Sequence, residues 1–446
     1  MPHIDRADIQ GNVLRGYRFP VARYLFIRVA DVLSGRQWLL HLVEHVTNAE
    51  PWDEKPGWAL NIAFTHAGLR ALGAPAESLD SFPAEFQDGM RARAELLGDT
   101  RDSSPAHWDS HFSNGDAHVM AVLNASAPER LQERCDWLER TLASSTALQV
   151  VGRQDVARLP EGREHFGYVD GLSQPRVEGD GMHTRLGEGI KEGSGRRALR
   201  AGEFLLGHPD ETGRMPPAPV PAALAQNGTY LVYRKLRQDV ALFRRFLTER
   251  SRAYAGGEEK LAAALMGRWR DGTPIELSPD KADPLLGFDL QRNNDFVYRD
   301  DLDGFRCPVG AHIRRANPRD ALGFQHKMVH RHRLIRRGMP YGAPLPPGSD
   351  DDGVDRGLIF VCLGASIVRQ FEFVQTQWMN DGNIFALGAD KDVLAGDNDG
   401  TGKMTVQGRP PWFVGAVPRL VTNKGGDYFF LPGIRALRHI ASDPAI

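Results

Sequence analysis

The chain alternates short apolar runs of strand period with stripes of helical period. Tyr24 to Asp31 (YLFIRVAD) is rich in aromatic and β-branched residues and predicts a strand. From Gly35 the apolar positions Trp38, Leu42, Val43 and Val46 fall at helical spacing, so a helix follows. Trp58, Leu60, Ile62 and Phe64 then alternate with small or polar residues, the period of a half-buried strand, and Thr65 is placed to cap a short helix through Leu72. Ala117 to Ala125 reads as strand, Leu131, Cys135, Leu138 and Leu142 as a helical stripe after Pro128, and Ala147 to Val151 as a further strand.

From about Glu178 to Gly228 the chain is rich in Gly, Pro and charge and carries little periodicity, which places a domain boundary there and divides the chain into 1–215 and 216–446. The pattern then restarts. Tyr230 to Leu236 predicts a strand, Asp239 a helix cap with Val240, Phe243 and Leu247 inward, and Leu261, Leu265 and Trp269 a second helix. After a long irregular stretch come a strand at Leu358 to Leu363, a helix-period run through Ile367, Phe371, Val374 and Trp378, and a last strand at Asp427 to Leu431. Two halves repeating strand, helix and strand with segregated elements predict an α+β fold with mainly antiparallel sheets.

Composition narrows the class. In 446 residues, 41% hydrophobic and 25% charged, there is ample material for a core and no sign of a disordered, fibrous or membrane-spanning chain. A formal net charge of −2 gives no long-range pull toward nucleic acid or an anionic membrane, so neither is expected as a partner. Cys135, Cys307 and Cys362 form no C-x-x-C pair and read as buried apolar residues. The first residues lack an apolar signal segment, and a cytoplasmic location is the expectation.

Three stretches could carry chemistry. In Gly167 to Pro175 (GYVDGLSQP) a carboxylate, Asp170, stands between glycines. That is either a turn in which Asp170 accepts local N–H groups, or a place where something large, such as a flat cofactor, approaches the main chain. In Arg306 to Asp320, His312 lies among Arg314, Arg315 and Arg319, with Asn317-Pro318 to end a helix. Either the arginines face water around a histidine at a helix end, or the imidazole binds the metal of an anionic cofactor, a description that haem fits. In His326 to Gly342, His326 and His330 would share a helix face, but zinc is disfavoured without an H-E-x-x-H pattern or a third ligand. The basic residues Arg331, Arg333, Arg336 and Arg337 read as a solvated face with one arginine turned inward. Asp397 to Gly400 begins like a calcium loop, yet its twelfth position is Gly408.

Taken together and in order, GYVDG, AHIRRANPR and RLIRRGMPYG, with the opening IQGNVLRGY and the closing DYFFLPGIRAL, resemble the dye-decolourising peroxidases from Ile9 to Leu437. The resemblance implies an α+β haem enzyme of two ferredoxin-like halves with antiparallel sheets, holding haem b (iron protoporphyrin IX) mainly in its C-terminal half. It makes His312 the axial ligand of the haem iron, Asp170 the distal acid and base, and Arg336 the distal charge stabiliser. Gly171, Leu172 and Ser173 fall where the family's backbone runs over the haem, and Asn317 and Arg319 where it meets the porphyrin edge and propionates. Asp392, in KDVLAG, falls where the family often has an acid on the other nitrogen of the proximal histidine, although Val393 stands where a proline is usual.

The function so implied is reduction of hydrogen peroxide coupled to oxidation of aromatic electron donors such as dyes and phenols. Tyr341, Trp378 and Tyr254 are candidate surface aromatics for donors too bulky to enter a haem pocket. The alternative on the same fold is a haem-binding or haem-handling protein without turnover. On oligomeric state the sequence is silent.

Overall fold

The computed structural model describes residues 4–143, 145–192, 195–323 and 327–442. Strand β1 (Val21–Val29) passes into helix α1 (Val32–Val43) at Asp31, whose carboxylate accepts from Ser34 N and so satisfies the first turn. After β2 (Trp58–Phe64), Thr65 caps a short helix, His66–Ala71, in the same manner. Then follow β3 (Val119–Ala125), α2 (Pro128–Leu142), which begins on its proline, and β4 (Leu148–Ala157). The second half runs β5 (Thr229–Gln238), α3 (Val240–Ser251) capped by Asp239, α4 (His312–Ala316), β6 (Ile335–Arg336), β7 (Met339–Tyr341), β8 (Gly357–Gly364), β9 (Val421–Leu431) and α5 (Ile434–Ser442).

Among the described residues these strands form one nine-stranded sheet in the order β4-β1-β3-β2-β9-β5-β8-β6, with β7 also paired to β8. Every pairing in it is antiparallel. Each half has the fourth-first-third-second strand order of a ferredoxin-like unit, as the resemblance implies. The halves join where Phe430 of β9 pairs with Phe64 of β2. Strand twist curls the sheet until its outer strands β4 and β7 approach one another. Across the interior, the ring of Phe26 on β1 lies 5.2 Å from Tyr233 on β5 and 6.3 Å from Phe429 on β9. One core therefore spans both halves, and the loops after β4 are carried to β6 and β7. No helix of the described residues is long and apolar enough to cross a membrane, and all three cysteines are buried.

Several elements differ from the sequence expectation. The run expected as an α-helix is π-helical over Val368–Glu372 and Val374–Met379, a distinction that apolar spacing over so short a segment does not encode. Strands β6 and β7 occupy a stretch that Gly338 and Pro340 make irregular in pattern; a Cβ at Gly338 would lie 2.0 Å from the Ile359 carbonyl oxygen. The second helix of this half stops at Met266, before Trp269, because Gly267 turns left-handed at φ 91°. Strand β9 begins at Val421, since a bulge between Asn423 and Gly426 lets it continue through two glycines.

Candidate functional site

The loop after β4 is built round Glu164. Its Oε1 accepts from Tyr168 N at 2.9 Å, and its Oε2 from Phe166 N at 2.8 Å and from Gln238 Nε2 on β5 at 2.6 Å. Burial raises the Glu164 pKa, the bonds from Gln238, Tyr168 and Phe166 oppose that, and the charge of Asp170 adds to it. His165 Nε2 donates to Tyr341 O at 2.8 Å and ties the loop to β7. Asp170 then projects from a turn in which Gly171 has φ 78°, a conformation glycine adopts without strain. The Asp170 carboxylate accepts from Gly171 N at 2.6 Å and lies 3.5 Å from Arg336 Nη1. Arg336 is positioned from the same loop, its N donating to Gln174 Oε1 at 3.0 Å and its Nη2 to Ser173 O at 3.1 Å.

His312 opens α4, a five-residue helix held by two buried guanidiniums. Arg315 donates to the carbonyls of Trp378, Asp381 and Asp390 at 2.7, 3.1 and 2.6 Å. Arg314 reaches Cys307 O at 2.6 Å and Asp301 O at 2.7 Å. With the helix so fixed, His312 Nδ1 stands 3.1 Å from both carboxylate oxygens of Asp392. The Asp392 carboxylate also accepts from Leu394 N at 3.0 Å and Ala395 N at 2.6 Å, and Asn398 Nδ2 donates to its main-chain oxygen at 2.7 Å. Burial pulls the imidazole down, but the charge and hydrogen bond of Asp392 more than offset it and raise the His312 pKa. Burial alone would raise Asp392; His312, Ala395 N–H and Arg315 hold it below the usual carboxylate value. His312 Nε2 has no partner among the described residues.

The loop after β4 and the head of α4 border one cavity of about 320 Å³, lined among others by Asp170, Gly171, Leu172, Ser173, His312, Asn317, Arg319, Arg333 and Arg336. Arg319 sits in the left-handed region at φ 51°. It is pinned by the carbonyls of Asn294 and Phe296 at 2.9 and 2.7 Å. Arg333 is different: buried on the cavity wall, its guanidinium has no hydrogen-bond or ion-pair partner among the described residues. Burial and the charges of Arg319 and Arg336 push it down to about 9, the direction taken by a cation short of counter-charge. The buried Asn317 Oδ1 likewise lacks a donor. A free imidazole nitrogen, a cation awaiting an anion and a glycine-bordered gap suit a metal-bearing, carboxylate-bearing planar group, so the residues present fit haem.

The structure thus brings Asp170, Gly171, Leu172, Ser173, His312, Asn317, Arg319 and Arg336 to one cavity and Asp392 behind His312. It corrects other expectations. Arg314 and Arg315 do not face water; they are 1% and 0% exposed and serve as staples of α4. The basic run is no solvated face either, because Arg333 is buried, Arg337 donates to Asn12 O and Val13 O, and Arg331 pairs with Asp210. Tyr341 and Trp378 are 4% and 1% exposed, since the sheet and the π-helical segment turn these rings inward, and Tyr254 is half-buried against Trp412. Tyr341 and Trp378 are therefore not surface aromatics. His326 lies outside the described residues. The sequence names Arg333 only as one of the basic run and not at the site, and Glu164 not at all; the one signal is their closeness to Arg336 and to Asp170.

Two family models match the chain, the DyP dimeric alpha+beta barrel domain over residues 8–155 and the C-terminal Dyp-type peroxidase domain over residues 220–388. A dye-decolorizing peroxidase of Mycena epipterygia is 31% identical, the match covering 98% of this chain and 87% of that one. Among solved structures, a fungal DyP-type peroxidase from Auricularia auricula-judae superposes with a TM-score of 0.86 at 26% identity, over 99% of this chain and 100% of the other. A dye-decolorizing peroxidase in complex with 2,6-dimethoxyphenol superposes with a TM-score of 0.84 at 31% identity, over 98% and 100% of the two chains. With both halves matched and the likeness running nearly end to end, the chain belongs to the dye-decolourising peroxidase family and is a haem peroxidase, an oxidoreductase.

Proposed function

We propose that the chain reduces hydrogen peroxide at a haem b held by His312 and takes the electrons from aromatic donors such as dyes and phenols. The observation that carries this reading is the convergence of the His312–Asp392 pair and the Asp170–Arg336 pair on one cavity. The relative whose structure holds 2,6-dimethoxyphenol supports a phenolic donor. Bound haem would supply the iron on which peroxide is reduced and would hold the resulting oxidising equivalents.

The chain's own groups do the rest. Peroxide must lose a proton from one oxygen and gain one on the other. Asp170, on a glycine-flanked turn at the cavity, can take the first and return it to the second. Arg336, which does not give up its proton, stabilises the negative charge that develops on the departing oxygen. His312 would hold the iron through Nε2, and the anionic Asp392 on Nδ1 would make the imidazole a stronger electron donor. Arg319 and Arg333 would hold the two propionates, and Asn317 the porphyrin edge. Gly171, Leu172 and Ser173 would border the ring; residues 216–446, which carry His312, Asn317, Arg319 and Arg333, would supply most of the grip, and residues 1–215 the turn that bears Asp170.

The test is stopped-flow absorbance of the haem-loaded protein mixed with hydrogen peroxide. A Soret band that shifts at once and returns when a phenol is added is the expected result. A band that only bleaches would assign the chain to haem handling without turnover.

A further inference from the structure

The wall of the cavity continues past the groups assigned to haem into a polar corner made by Asp99 and Ser103 of the N-terminal half, Arg234 on β5, Arg419, and Asn423 on β9. Strand pairing builds part of it: Leu236, two residues from Arg234, is the cross-strand partner of Asn423, and all three line the cavity. Arg234 donates to Asp99 Oδ1 and, at 3.4 Å, to Gln375 Oε1. Asn423 Nδ2 donates to Asp99 Oδ2 at 3.0 Å, so both oxygens of that acid are engaged. The Nε of Arg234 is buried without a hydrogen-bond partner among the described residues.

Arg419 is placed differently. It donates to Ser103 Oγ at 2.8 Å and to Thr100 Oγ1 at 3.4 Å, and no carboxylate among the described residues pairs with it. Hydroxyls solvate a guanidinium but leave its charge standing. The other acids on the cavity wall are taken. Asp397 pairs with Lys391 at 2.7 Å, Glu164 is held by Phe166, Tyr168 and Gln238, and Asp170 lies beside Arg336. Two guanidiniums therefore share one carboxylate in this corner, an excess of one positive charge. The wall around them is apolar, with Leu97, Leu236, Leu394 and Val421. Thr100 and Arg419 are half-buried and Arg101 is exposed, which sets the corner close under the surface. A guanidinium takes a carboxylate in a planar, paired contact, and small-molecule sites are mostly apolar clefts with a few convergent polar groups. One excess cation beside apolar walls suits a small ring that bears one carboxylate.

We propose that this corner is a binding subsite for an aromatic donor carrying one carboxylate, of the hydroxybenzoate or hydroxycinnamate class, and that Arg419 selects it over a neutral phenol. The proposal rests on the haem-peroxidase reading and narrows its donor class. The carboxylate lies on Arg419, supplying the negative charge that Ser103 and Thr100 do not. The ring lies against Leu236 and Val421. Asp99, engaged by Arg234 and Asn423, keeps the second guanidinium in place and limits the corner to a single negative charge.

The experiment is isothermal titration calorimetry of the haem-loaded ferric protein with para-hydroxybenzoate and with its uncharged methyl ester. Cyanide is present to fill the open position on the iron, so that only binding elsewhere is read. The wild type should bind the acid about 10- to 150-fold more tightly than the ester, the range of one hydrogen bond to a charged group. Arg419→Leu should lose that preference. Should it fail to fold, Arg419→Gln, which keeps an N–H donor without the charge, should lose the preference too. No binding of the acid to the wild type, equal binding of acid and ester, or a preference undiminished in these variants overturns the proposal. The parent reading is tested apart, by the Soret response of the wild type to peroxide without cyanide. A Soret band that does not respond overturns that reading and, with it, the assignment of the bound acid as a donor.

Discussion

His312 and Asp392 meet across 80 residues of chain, with Nδ1 3.1 Å from each carboxylate oxygen and the acid held by two main-chain N–H groups of its own turn. An oriented carboxylate of this kind holds the imidazole in one tautomer and leaves Nε2 to the metal. Asp392→Asn keeps the shape and removes the charge. It should raise the reduction potential of bound haem in a potentiometric titration and lower haem affinity or activity by about 10- to 100-fold. An unchanged potential would strip Asp392 of its electronic role.

Asp170 lines the cavity 3.5 Å from Arg336, and its proposed role is proton transfer, with cofactor binding left to other residues. Asp170→Asn should therefore retain haem but slow the peroxide reaction roughly 100- to 10,000-fold, read by stopped-flow absorbance. Full speed in that variant would move the proton transfer elsewhere.

Arg336 and Arg333 are expected to separate. Arg336→Leu should slow peroxide reduction roughly 100- to 1,000-fold with haem still bound. Arg333→Leu should instead weaken haem binding by about 10- to 150-fold, the equivalent of losing one charge-assisted hydrogen bond, when apoprotein is titrated with haem. Equal effects of the two variants on binding would make Arg336 a propionate anchor too.

The buried ring of His111 packs 4.7 Å from Phe26, and its Nε2 has no hydrogen-bond partner among the described residues. Burial lowers its pKa from 6.5 to about 4, so the folded chain binds fewer protons there than the unfolded chain between those values. The stability it supports is complete above 6.5 and is lost as pH falls toward 4, by roughly 1–3 kcal/mol. Thermal unfolding from pH 7 to 4 should show a shallower decline in His111→Phe than in the wild type. Parallel declines would refute the assignment.

Much of the fold was legible because elements are encoded locally. The stripes of α1 and α2 and the caps Asp31, Thr65 and Asp239 each depend on neighbours within a few residues, and the chain states them openly; β2 was legible as a strand, but it is buried on both faces and not, as its alternation predicts, on one. The turn that bears Asp170 was legible for the same reason, and the motifs in their order pointed to the family. What only the tertiary structure decided depends on partners far apart in sequence. Gly338 and Pro340 hide β6 and β7, which form because β8 offers them an edge. The joining of the halves rests on Phe64 and Phe430, and the inward turn of Arg333, Trp378 and Tyr341 on how the curled sheet and π-helical segment pack. No pattern in a run of arginines tells which guanidinium will be buried, since that choice is set by the charges and carbonyls that distant segments bring to it.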